Sequence, residues 1–186
     1  MNILRIRVPE GAIAQPPVYN TTTAPNRFRA VPVLRKRSRS PSYNGLTPAS
    51  ATASRVGAGN QKRNTTPELL LRRALFSLGA RYRIGPSSLP GRPDIAFLSS
   101  QVAVFCDGDF WHGRDWPKRK EMLARGNNSR YWVAKIQRNI DRDKTVVQTL
   151  TKLGWLTLRV WEGDIRNDPN KVAKHILRTV ARRRGG

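Results

Sequence analysis

The sequence predicts an α/β fold of three layers, a central mixed β-sheet with helices on both faces. Three observations predict it. Apolar residues recur at helical spacing near residues 66–78, 129–152 and 169–183. Short apolar runs that read as strands stand between these segments, at 82–84, 94–98, 101–105 and 155–160. Turn residues separate them, giving the order helix, three strands, helix, strand, helix.

Each element has a local reason. Thr65 or Thr66 can cap the first helix, whose first turn holds Pro67 and Glu68, as helix N-termini favour. Leu70, Leu71, Ala74, Leu75 and Leu78 then share a face, and Gly79 stops the helix. Tyr82-Arg83-Ile84 reads as a short strand and Leu89-Pro90-Gly91-Arg92-Pro93 as a turn. Asp94–Leu98 and 101–105 are strands joined by a tight turn at Ser99-Ser100, which predicts an antiparallel hairpin. Residues 106–113 read as a loop and those beyond it as a basic stretch. Trp132, Ile136, Ile140, Val147 and Leu150 mark a long helix closed by Gly154. Trp155–Val160 is the last strand, with Trp161-Glu162-Gly163-Asp164 at its end.

The chain has 186 residues, enough for one ordinary domain and a tail. It carries 35 Lys and Arg against 12 Asp and Glu, a formal charge of +23. So much positive charge repels itself unless a polyanion shares it, which points to nucleic acid. Residues 1–54 are rich in Pro, Ser, Thr, Ala and Arg and lack apolar periodicity, so they are expected not to fold alone. They read equally as a basic arm along phosphates or as a dispensable extension. The folded domain is assigned to 55–186. Residues 61–186 keep 26 basic and 11 acidic residues, so the basic character belongs to the domain as well.

No run approaches the length of a membrane span, and the start is too short and interrupted for a signal peptide. The one cysteine, Cys106, excludes an internal disulfide and a Cys-rich zinc site. The interior of a cell, on the nucleoid, is the expected location, and no membrane partner is expected.

The chemistry concentrates in Cys106-Asp107-Gly108-Asp109-Phe110-Trp111-His112-Gly113. Two carboxylates, two large aromatics and one of two histidines follow a strand. In a hairpin, the start of the second strand lies beside the end of the third. Asp94 and the backbone carbonyl of Cys106 are therefore placed to share a hard cation such as Mg²⁺. Such an ion stabilises a phosphodiester transition state and activates water, and His112 is near enough in sequence to move the proton. On the long helix Lys135, Asn139, Arg142 and Asp143 share a face, either solvated or turned to DNA. From it Asp143 can orient His112, as a buried acid orients a catalytic imidazole. Phe110 and Trp111 suit a wedge between bases; packing into the core is the alternative, with one of the two turned inward. His175 is given no role.

These motifs resemble the very short patch repair endonucleases. The resemblance rests on Thr66-Pro67-Glu68, Leu70–Leu75, Leu89-Pro90-Gly91-Arg92-Pro93-Asp94, Phe110-Trp111-His112, Asn139 with Arg142-Asp143, Gly154-Trp155 and Val160-Trp161-Glu162. It runs from about Ser54 to Leu177. It implies a restriction-endonuclease-like fold and a Mg²⁺-dependent, monomeric enzyme that nicks double-stranded DNA at a T:G mismatch, with mismatch-repair proteins as candidate partners. By resemblance Asp94 is the metal-binding catalytic acid and the Cys106 carbonyl the second protein oxygen on the metal. His112 is the proton-transfer residue, Asp143 its partner and Glu68 a supporting acid. Phe110 and Trp111 are the intercalating wedge, and Lys135, Asn139 and Arg142 are assigned to DNA.

The chain departs from that family at two places. Where its best-known members place Cys and His ligands of a structural zinc, this chain has Asp109, Arg114, Trp116 and Gly163. No structural zinc is expected; an Asp109–Arg114 ion pair and packing by Trp116 are expected instead. Gly57 stands where a methionine wedge is expected. Two other functions stay open: a defence-system or mobile-element nuclease with another DNA substrate, and a non-catalytic DNA-binding module.

Overall fold

The computed structural model describes residues 63–185 together with Pro41, Ser42 and Gly45. The rest of the 1–54 extension, the domain boundary at 55 and Gly57 lie outside the described residues. Helix α1 spans Thr66–Ser77 and strands β1, β2 and β3 span Arg83–Ile84, Ile95–Phe97 and Val102–Asp107. Helices α2 and α3 follow at Trp116–Ala124 and Ser129–Lys152. Strand β4 covers Leu156–Trp161, and helices α4 and α5 cover Glu162–Asn167 and Pro169–Arg184.

The strands form one mixed sheet in the order β1-β2-β3-β4. The first two pairings are antiparallel, and β3 pairs with β4 in parallel, with Cys106 opposite Val160 and Asp107 opposite Trp161. Side chains alternate across the sheet. Ile95, Phe97, Val102, Val104, Leu158 and Val160 face α1, α4 and α5 in the larger core. Ala96, Ala103 and Phe105 face the opposite way, toward Leu150 and Val146 of α3. Helices on both faces make the three-layer α/β/α arrangement. Leu71, Ile165 and Ile176 of the larger core are fully buried. Each such side chain contributes roughly 1.5–3 kcal/mol by leaving water.

Four elements differ from the sequence reading. Cys106 and Asp107, read from sequence both as the end of the third strand and as the start of the loop, belong to β3, because the parallel partner β4 continues alongside them, so the loop begins at Gly108. The turn at Ser99-Ser100 is a 3-10 turn over Leu98–Ser100, with Gln101 left-handed at φ 49°. The basic stretch is helix α2; it buries no residue, so no apolar period announced it. The residues after Trp161 continue as the six-residue α4, which buries only Ile165.

Candidate active site

The C-terminal end of β3 gathers acids from three elements. Asp94, just before β2, accepts a hydrogen bond at Oδ2 from the Cys106 backbone N–H at 2.7 Å. The hairpin register brings the two residues together, since Ile95 pairs with Val104. Burial pushes the Asp94 carboxyl up to about 6. The Cys106 N–H pulls it down, while the charges of Glu68 and Asp107 push it further up. Burial and the same three carboxylates hold the Cys106 thiol well above its ordinary value.

Glu68 reaches this end from the first turn of α1 and is 5% exposed. It accepts from the Asn64 N–H at 3.0 Å, the Thr65 hydroxyl at 2.9 Å and Arg72 at 2.8 Å. Glu68 thus ties down the chain entering α1, in the manner of a capping acid.

His112 lies in the turn 108–115, where its N–H donates to the Gly108 carbonyl at 3.1 Å. Gly113 seats this turn on α3. Its φ is +69°, and a Cβ there would stand 2.6 Å from Ile140 Cδ1. One helical turn beyond Ile140 comes Asp143, whose Oδ2 lies 2.6 Å from His112 Nδ1. Burial alone would push the Asp143 carboxyl up, but the His112 hydrogen bond and the charges of Arg159 and Arg142 hold it below its ordinary value.

Arg159 and Asp107 are functional candidates that the sequence reading passed over. Arg159 binds Asp107 through two bonds, Nε to Oδ2 at 2.5 Å and Nη2 to Oδ1 at 2.6 Å. Its Nη2 also lies 3.0 Å from Asp143 Oδ2. The signal was present: Arg159 is the one charge inside the otherwise uncharged run Leu156–Trp161.

The residues assigned to DNA divide. Phe110 and Trp111 do not alternate inward and outward. Both are half-buried in the turn and meet edge to face at 5.1 Å. Trp132 joins them at 5.6 and 6.0 Å, and Arg119 and Lys135 lie over Phe110 and Trp111 at 5.7 and 5.9 Å. Lys135 also donates to the Tyr131 hydroxyl at 2.7 Å. Asn139 donates to the Trp111 carbonyl at 3.0 Å, so its side chain holds the aromatic turn. Arg142 is exposed and leans on Asp143 at 3.4 Å.

Asp109 and Arg114 form an ion pair at 3.3 Å, and Arg114 reaches Asp164 at 2.8 Å. Gly163 leaves them room, since a Cβ there would lie 2.7 Å from Asp109 Oδ2. Trp116 packs half-buried, its indole N–H donating to Gln137 at 2.9 Å.

Among the described residues no three His, Cys, Asp or Glu side chains are grouped to hold a metal ion. A Mg²⁺ site needs fewer, because Mg²⁺ keeps several waters and uses one or two carboxylates with substrate phosphate. Asp94 fits that demand. Its half-buried carboxylate carries repulsion from Glu68 and Asp107, which a cation would relieve.

A mixed sheet between helical layers, with an acid before β2 and an acid–histidine pair beyond β3, defines a restriction-endonuclease-like nuclease domain. Residues 47–118 match the family model described as DNA mismatch endonuclease Vsr. The chain belongs to this very short patch repair endonuclease family. It is 41% identical over 126 residues to type II nicking enzyme V.NmeDIP of Neisseria meningitidis serogroup C, covering 68% of this chain and 84% of the relative. It is 39% identical over 126 residues to type II nicking enzyme V.HpaIIP of Haemophilus parainfluenzae, covering 68% and 88%. Against DNA mismatch endonuclease Vsr of Escherichia coli K12 it is 34% identical over 116 residues, covering 62% and 72%. No helix among the described residues is long and apolar enough to cross a membrane.

Proposed function

We propose that the protein is a Mg²⁺-dependent endonuclease that nicks one strand of duplex DNA beside a T:G mismatch, as a monomer inside the cell. The observation that carries this reading is the His112–Asp143 pair at 2.6 Å, on the same sheet end as the half-buried Asp94. Asp94 and the Cys106 carbonyl would hold the metal. Mg²⁺ bound there would supply charge stabilisation to the phosphodiester and a more acidic water. His112 donates its Nδ1 hydrogen to Asp143 and takes the proton of the attacking water at Nε2. The products are a 5′-phosphate and a 3′-hydroxyl. Phe110 and Trp111, held by Asn139, form the wedge beside the mismatch, and Lys135 and Arg142 meet phosphate. Glu68 keeps the start of α1 in place and adds negative charge beside Asp94.

A second reading is favoured by the relatives named type II nicking enzymes: V.NmeDIP and V.HpaIIP are 41% and 39% identical to this chain, against 34% for the Escherichia coli mismatch enzyme. In that reading the strand nick is kept and the mismatch is not required. One experiment separates the two. Labelled duplexes, one with a single T:G mismatch and one fully paired, are incubated with Mg²⁺ or with EDTA. Cutting only beside the mismatched T, and only with Mg²⁺, is expected. Equal cutting of both duplexes would discard mismatch specificity, and no cutting with any divalent ion would discard the nuclease.

A further inference from the structure

Arg159 has no part in the reaction proposed above, yet it touches both partners of the proton-moving pair. It is 8% exposed, in the middle of β4, and its guanidinium spans three elements. Asp107 at the end of β3 takes Nε and Nη2 at 2.5 and 2.6 Å. The same Nη2 lies 3.0 Å from Asp143 Oδ2 on α3 and 3.2 Å from His112 Nδ1. An Arg terminal nitrogen has two hydrogens. Asp107 Oδ1 and Asp143 Oδ2 take both, which leaves none for the imidazole. His112 Nδ1 must therefore carry its own hydrogen and give it to Asp143.

Asp107 Oδ1 is also only 3.7 Å from His112 Nδ1. Two carboxylates thus compete for one ring nitrogen. The guanidinium settles the competition by occupying both oxygens of Asp107 with paired, charge-assisted bonds. We infer that Arg159 is a positioning residue for cleavage: anchored on Asp107, it fixes Asp143 as the acceptor for His112 Nδ1 and leaves Nε2 as the working nitrogen. The inference rests on the reading of His112 as the proton-transfer residue.

The test uses the full chain with ring-¹⁵N-labelled histidine at pH 8. There are two histidines, so His175→Gln assigns the signals. The wild type is expected to show one His112 tautomer, protonated at Nδ1. Asp107→Asn/Arg159→Gln removes the ion pair without leaving a lone charge. Asp143 still accepts from Nδ1, so that tautomer persists, but the Nδ1 proton should lose the low-field shift that marks a short bond to a fixed Asp143, and kcat for nicking should fall about 10- to 100-fold, with KM changed less than about 3-fold. Adding Asp143→Asn to that pair should cost less than about 3-fold more, because the residues act as one unit. If the pair fails to fold, Arg159→Lys is read the same way, since an ammonium keeps the charge but lacks the fork. An unshifted Nδ1 proton in the variant overturns the inference, and so do losses that simply multiply. If the wild type cuts no DNA, the nuclease reading fails, while the His112 Nδ1 proton signal still decides the role of Arg159.

Discussion

His112 Nδ1 and Asp143 Oδ2 stand 2.6 Å apart although 31 positions separate them in the chain. The contact depends on the glycine after His112. Gly113 lets the turn lie against Ile140, and Asp143 is the next residue toward the turn on that face of α3.

Asp143→Asn should leave DNA affinity within about 3-fold and lower kcat by about 100-fold or more, because an amide no longer selects the imidazole tautomer. His112→Ala should keep binding and lose cleavage. Single-turnover nicking with a parallel binding titration checks both. Cleavage at the wild-type rate in either variant would remove this pair from the mechanism.

Asp94→Asn should stabilise the metal-free protein at neutral pH. The folded carboxyl titrates near 6 rather than 3.8, so its protonated form favours folding. That favour is complete below pH 3.8 and is lost as pH rises through about 6. Ionisation costs on the order of 3 kcal/mol at most, and the amide avoids it. Urea melts at pH 8 and at pH 4 should show a gain for the variant that shrinks at the lower pH. A variant less stable than wild type at pH 8 would contradict the crowded-acid picture. Mg²⁺ should raise the Tm of the wild type and not that of Asp94→Asn.

Arg159→Met should cost roughly 3–5 kcal/mol, since it leaves the Asp107 carboxylate buried at 3% exposure without its partner. Asp107→Asn/Arg159→Gln should cost less than half as much. Equal losses would mean that the ion pair is not what the buried charges depend on.

Gly113→Ala should destabilise the domain by about 2–4 kcal/mol. Part is the left-handed backbone, worth roughly 1–2 kcal/mol, and part is the overlap with Ile140. Ile140→Val removes the overlapping Cδ1, so the double variant should recover some of the loss. Strict additivity in chemical denaturation would show that the turn does not rest on Ile140.

Gly163→Ala should loosen the loop through the crowded Asp109–Arg114 pair, where its Cβ would lie 2.9 Å from an Arg114 nitrogen. Purified protein should contain no stoichiometric zinc by elemental analysis. One zinc per chain would show that the loop is held in another way.

The layers and the hairpin were legible because burial writes a period into the sequence. Val102 to Phe105 supply both cores by alternation, and Ile136, Ile140 and Leu150 mark one stripe of α3. Helix α2 was not legible, because a helix that buries nothing leaves no such trace. At the candidate site, Asp94 and Cys106 were brought together by hairpin pairing, which spacing alone foretells. Glu68 and Asp143 were reached only through motif resemblance and helix spacing, because their meeting depends on tertiary docking. Arg159 was missed for a different reason. A charge in an apolar strand signals a partner but does not say which, and Asp107 lies 52 positions away. Asn139 shows the opposite limit. Its place on the polar face of α3 was readable, whereas its bond to the Trp111 carbonyl was not.

The candidate site draws Glu68 from a helix on one face of the sheet, Asp143 from a helix on the other, and Asp107 and Arg159 from the sheet between. No single layer contains a working fragment. A chain still emerging during synthesis lacks Arg159 until late. This arrangement acts as an interlock: the site is whole only when all three layers have docked.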